Sequence, residues 1–501
     1  MPKKTKKSGS KFAAILGSRI FFWSVIAFFV FEATWIALSS RYPMAFDEGT
    51  HLGMIKLYAH QWSPLLLHQP DGPATLGAVV HNPSYLFYWL MNFPYRLLSS
   101  AFNPHVTVVI LRLINVMFFA GGLVLFRKVL GQTKASAAII HAVLLFFVLI
   151  PVVCLQAGQI NYDNLLFLLL GWNLLQLLRF REQLIRKKSC DGVRLLGIAA
   201  VGMIASLTQF SYLPIFAAIV LYLVFLLSKN RKNLQKQLHK NWRATAPFWK
   251  YSTATGFVVA LGLFVWTYSI NLIKYHNVTP QCDQVLSLER CQANGPWARN
   301  YEYAKHPRPE TNHNPLVYTG GWISGMVQRT FFVINGPSGP APYANRAPLP
   351  ILLIGSVLVF GIGIILVIRC WRQVLGSDPV LCLLLFISGG YTIALWGKLY
   401  YDYVRLDRLV AVNGRYLLLV ILPMLVAAGL AYRQLLQERW QGWLAAAILV
   451  VSMQGGGLLS FLYFSNADWY WPDQPTMLRI NQDAHHVVRA FILDWPASWQ
   501  P

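Results

Sequence analysis

Tyr42-Pro43-Met44-Ala45-Phe46-Asp47-Glu48-Gly49-Thr50-His51 stands directly behind an apolar run, Ile20 to Ser39. Twenty apolar residues suffice to cross about 30 Å of hydrocarbon, so two adjacent carboxylates meet the chain where it leaves a first span. A Pro-, Gly- and His-rich passage follows, holding His60, His68, Asp71 and His81, before the aromatic run Leu86 to Leu97. A loop this long between two spans usually has work to do.

Working outward, apolar runs recur along the whole chain. Of 501 residues, 55% are hydrophobic and 12% charged, with a mean hydropathy of +0.44, a profile that excludes the soluble classes. We expect an all-α polytopic membrane protein of about eleven spans, near 20–40, 106–126, 136–155, 162–178, 194–209, 212–228, 252–273, 349–369, 379–397, 415–432 and 442–463. The run at 20–39 is too long for the h-region of a signal peptide and lacks a small-residue cleavage site, so it is expected to be retained.

The net charge of +24 could be read as nucleic-acid binding. That reading is rejected, because the cations collect in short loops between spans. Lys3, Lys4, Lys6, Lys7 and Lys11 share a side with Arg127, Lys128, Arg186, Lys187, Lys229 and Arg231, whereas the turns 156–161 and 209–212 hold no Lys or Arg. This bias predicts a cytoplasmic N-terminus. It yields a basic cytoplasmic segment 1–19, a transmembrane domain 20–463 with outer loops 41–105 and 274–348, and an extracytoplasmic tail 464–501. The first outer loop is large and should carry interfacial helices. Anionic lipid accounts for the inner cations.

Several constellations could carry chemistry. In Asp47-Glu48, mutual repulsion and partial burial suit a general base; the structural alternative is a helix N-cap with a first-turn acid. His51 would share a helical face with Asp47. No cofactor is expected, a divalent metal at Asp47 and His51 being the alternative. His81 and Tyr85 precede the aromatic run, which acts either as a surface anchor or as a substrate gate. Asp163, opening the fourth span, either caps that helix or lines the same outer cavity. Lys398, Arg405, Arg408 and Arg415 break the charge bias on an outer loop. They fit an anionic, lipid-linked phosphate, or else internal pairing with Asp402 and Asp407.

Glu32 and Arg112 lie at matching depths in the first two spans and are expected to form a structural ion pair. Of six cysteines, only Cys282 and Cys291 share a loop, on the outer side, where a disulfide is expected. The glycine-punctuated stretch from Thr319 to Gly339 is either re-entrant or plain packing. Asn277-Val278-Thr279 matches a glycosylation sequon, a short and common pattern.

Phe46-Asp47-Glu48-Gly49-Thr50-His51, His81-Asn82-Pro83-Ser84-Tyr85, Asn161-Tyr162-Asp163-Asn164, Ser206 to Pro214 and Asn413-Gly414-Arg415-Tyr416-Leu417 resemble, in order and sidedness, landmarks of GT-C-type membrane glycosyltransferases. The nearest branch is bacterial, related to protein O-mannosyltransferases and lipid A aminoarabinose transferases. The resemblance implies transfer, with inversion, of a sugar from a polyprenyl phosphate to an envelope glycan, lipid or protein outside the cytoplasm of a bacterial inner membrane. It maps the first-loop acid onto Asp47, with Glu48 beside it, and the late arginine onto Arg415. Gln209 and Asn82 depart from the residues that relatives often carry there. A glycan polymerase or ligase, or a lipid-linked glycan transporter, is the alternative; a transporter would favour broken spans repeated in two halves.

Overall fold

The computed structural model describes residues 11–491, apart from 45–46, 187, 232–233, 309–310, 332–349 and most of 437–455. The N-terminal lysines before Lys11, the stretch Asn335–Gly339 and most of the expected last span lie outside the described residues. Those described are helical, with no strand and a single isolated bridge between Ser40 and Tyr470.

Capping explains where the long helices begin. Ser18 accepts from the Phe21 amide and opens the helix Arg19–Ser39, and Asn103 accepts from Val106 ahead of Pro104–Leu130, with proline in its first turn. Pro151 lacks an amide donor, and here Ala137–Val148 and Pro151–Ala157 meet at 73°. This pair covers the third expected span, 136–155, which is therefore broken rather than straight.

Five described helices are long and apolar enough to cross a membrane, and six if the bent pair is one span. The protein is therefore a multi-pass membrane protein. They are Arg19–Ser39, Pro104–Leu130, Phe210–Lys229, Pro247–Tyr275 and Pro379–Leu406. Gly192–Thr208, Leu358–Arg369 and Ile421–Leu435 are apolar but shorter, and Tyr162–Arg186 carries charges toward its end. Pro247–Tyr275 exposes Val258, Val259, Val265 and Ile273, an apolar surface suited to lipid contact.

Close helix contact depends on small residues. A Cβ on Gly171 would stand 2.9 Å from Leu125 Cβ, so Pro104–Leu130 and Tyr162–Arg186 approach closely. Phe167 stacks on Phe119 and Phe126, with centroids 4.3 and 4.6 Å apart, and anchors the larger apolar core. A second core, from Leu52 through Tyr85 and Tyr88 to Leu111, seats the 41–105 loop on the bundle. The described residues after Ser465 pack against the bundle. Arg41 donates to the Trp469 carbonyl, and Asn481 bonds Trp35 and Ser39, so the segment ending in Pro475–Phe491 packs on the end of the first helix.

The expected ion pair does not form. Arg112, fully buried, donates from Nε and Nη2 to both oxygens of Glu48 at 2.7 Å. Its Nη1 reaches the carbonyls of Ala37 and Ser40, so the same guanidinium caps the first helix's C-terminal end. Arg112 points toward the helix end, where unpaired carbonyls attract a cation, whereas Glu32 sits two turns deeper. Glu32 accepts instead from the Leu458 amide at the start of Gly457–Phe464.

Candidate functional site

Asp47 precedes the helix Glu48–Tyr58 in a left-handed conformation, φ 69° and ψ 21°. Aspartate is among the few residues with a side chain that adopt this region readily. Asp47 holds the N-cap position and Glu48 is the first-turn acid, as the structural alternative expected, but the Asp47 carboxylate makes no capping hydrogen bond. It reaches across to Arg415 instead, with Nη2 to Oδ2 at 3.2 Å. The Asp47 side chain is 59% exposed and that of Arg415 only 8%: an accessible carboxylate meets a cation held in place.

Asn413-Gly414-Arg415 can be explained residue by residue. Asn413 accepts from the Arg415 amide and opens the 3-10 turn Gly414–Leu419. Gly414 lets the helix Pro315–Phe331 come close, since a Cβ there would collide with the Thr330 side chain and stand 2.6 Å from the Met326 carbonyl. Arg329 donates to the Val412 carbonyl and ties that helix to the same turn. Arg415 is thus presented from a braced turn.

Around this pair the structure gathers further groups. Asp163 and Tyr162 open their helix within electrostatic reach of Arg415. Asn161 caps that helix through the Asp163 amide, which leaves the Asp163 carboxylate to face Gln156, at 3.4 Å, rather than its own backbone. His51 is buried, its Nδ1 3.0 Å from the Tyr88 hydroxyl and its ring edge-on to Tyr162 with centroids 4.7 Å apart. Burial, reinforced by the negative charges of Asp47 and Asp163, pushes the Tyr88 phenol well above its ordinary range, so it stays protonated. Tyr88 and Tyr162 were not among the expected site residues, although both flank residues that were. Among the described residues, no three of His, Cys, Asp or Glu gather closely enough to hold a metal ion.

Glu48 takes no part in an open centre. It is 0% exposed, with its two oxygens held by Arg112, the Met44 amide at 2.7 Å and the Ile160 amide at 3.1 Å. A carboxylate enclosed in this way meets no substrate proton, and the expected acid pair divides into an accessible Asp47 and a structural Glu48. Burial, then the Glu48 charge, raises the nearby Tyr42 phenol to about 12.

The other expected residues lie in separate places. His81 and Tyr85 line a small cleft of about 30 Å³ with Tyr58, Thr267 and Asn271. There burial, then the Lys274 charge, lowers the His81 imidazole below its ordinary value. Lys398 pairs with Asp402 at 2.5 Å, Arg408 lies over the Tyr303 ring at 4.2 Å, and Arg405 lines another cleft. Cys282 and Cys291 are joined by a disulfide in the loop 274–348.

No family model and no curated protein matches the chain. In structure it is similar to the Archaeoglobus fulgidus oligosaccharyltransferase, crystallised tethered with an acceptor peptide containing the NVT sequon. The TM-score is 0.41 and the identity 13%, over 94% of this chain and 59% of that one. The chain thus spans about three fifths of that protein's length.

Proposed function

We propose that the chain is a membrane glycosyltransferase of GT-C type, which transfers a sugar from a polyprenyl phosphate to an envelope glycan, lipid or protein. The observation that carries this reading is the 3.2 Å contact between Arg415 and Asp47, residues set in the order and sidedness of the family's landmarks. Asp47 removes the proton from an acceptor hydroxyl or amine. The freed lone pair attacks the anomeric carbon, the bond to the phosphate oxygen breaks, and the configuration inverts. Arg415 neutralises the departing phosphate, a task for which its planar fork is suited. Asp163 and the protonated Tyr88 hold the acceptor side of the centre, and His51 orients Tyr88.

The eleven-span count, the cytoplasmic N-terminus and a reaction outside the cytoplasm of a bacterial inner membrane belong to the same proposal, supported by the distribution of Lys and Arg. The test is transfer from a panel of radiolabelled prenyl-phosphate sugars by purified protein. Asp47→Asn should abolish transfer while the protein stays folded; transfer at the parent rate would refute the reading.

A further inference from the structure

The cations Lys398 and Arg405 were expected at a lipid phosphate. They lie instead in a cleft of about 100 Å³ between the disulfide-closed stretch of the outer loop and the end of Pro379–Leu406.

Its walls are tied down. Tyr400 and Tyr403 donate to the carbonyls of His313 and Asn312, and His313 meets Asp407 at 2.5 Å. On the other side, Asn294 accepts from the Trp297 amide and donates to the Thr75 carbonyl, fixing the start of Gly295–Lys305 to the first outer loop.

The lining combines one aromatic platform with planar polar side chains. Trp297 stacks on Tyr301, with centroids 4.8 Å apart and planes at 19°, and the Lys305 ammonium lies 4.3 Å from the Tyr301 ring. This column presents a rigid ring at the cleft wall. Asn300, Gln281 and Asp283 stand beside it, facing Lys398, Asp402 and Arg405. Two cations and two carboxylates cancel, and Lys398 is already paired with Asp402. A net-charged ligand such as a phosphate gains little here. A ligand with one apolar face and a rim of hydroxyls satisfies the ring and the donors and acceptors together.

We propose that this cleft binds a neutral saccharide, as a subsite distinct from the Asp47–Arg415 centre. Arg405 and Arg415 are ten positions apart, so the chain between the cleft and the centre spans at most about 35 Å. The assignment of this glycan as the acceptor rests on the transfer reading above; the binding itself does not.

The test is saturation-transfer NMR on the full-length detergent-solubilised protein, with neutral gluco-, galacto- and manno-trisaccharides at roughly 10 mM, where even millimolar affinity is visible. At least one trisaccharide should bind the parent. Trp297→Ala and Asn300→Ala should each weaken binding at least about tenfold, the equivalent of 1.4 kcal/mol. Trp297→Phe, which keeps a ring, should retain most of it, so that misfolding is distinguished from lost stacking. Asp47→Asn should bind as the parent does, which separates failure of this subsite from failure of the transfer reading. Absence of binding by all three sugars, or equal binding by Trp297→Ala, would overturn the proposal.

Discussion

Arg415 Nη2 lies 3.2 Å from the Asp47 carboxylate and joins residues 368 positions apart. One partner is nearly enclosed and the other more than half open, so the contact adds little to stability, about 0–1 kcal/mol for an exposed pair. Its value is positional.

It follows that Asp47→Asn leaves the melting temperature of the purified protein nearly unchanged while sugar transfer falls about 10²–10⁴-fold, the usual contribution of a general base. Parallel thermal unfolding and transfer assays check this. A fall in both would make Asp47 structural.

Arg415→Lys keeps the charge but loses the fork. Transfer should fall at least about tenfold, chiefly through weaker donor binding, with expression maintained. Gly414→Ala should do more harm, because the new methyl meets the Met326 carbonyl and the Thr330 side chain and forces the braced turn away from Pro315–Phe331. Thermal unfolding of the two variants should rank Gly414→Ala well below Arg415→Lys.

Glu48→Gln leaves the Arg112 guanidinium buried without its counter-charge, for which about 3–5 kcal/mol of destabilisation is typical. Arg112→Met should be similarly harmful, and the double variant Glu48→Gln/Arg112→Met less so than the sum of the two. A double-mutant cycle on thermal unfolding measures the coupling, and additive effects would contradict the pairing.

His81 supplies a pH dependence. Its folded-state value lies below the ordinary 6.5, so the folded protein disfavours the charged imidazole. Its contribution is therefore intact above that value and is lost as the pH falls below it, where the unfolded chain binds a proton that the folded chain resists. His81→Asn, which tolerates the backbone φ of 67°, should flatten the fall in melting temperature between about pH 7 and pH 5. An unchanged slope would show that other groups govern it.

Much of this was legible because hydropathy and charge bias act over whole helices. The runs near Ile20, Val106 and Pro379 became helices for that reason, and the order of the Asp47, Asp163 and Arg415 motifs anticipated their meeting. What the chain could not disclose was direction. Glu32 and Arg112 match in depth, yet a long side chain seeks the nearest free carbonyls, and a neighbouring helix end drew Arg112 to Ala37, Ser40 and Glu48. Adjacent Asp47 and Glu48 read as a pair, but a left-handed residue ahead of a helix turns consecutive side chains apart. The three cations on the 398–408 stretch suggested phosphate; the alternative, pairing with Asp402, holds for Lys398 four residues away on the same helix, whereas nothing in the sequence placed the Trp297 column beside them.

The wide separation of Asp47 from Arg415 also bears on biogenesis. A nascent chain that has inserted its first helices already carries the carboxylate, but it holds no competent centre until the braced turn near the other end emerges from the ribosome and docks. On the transfer reading proposed above, premature release therefore yields an inert product.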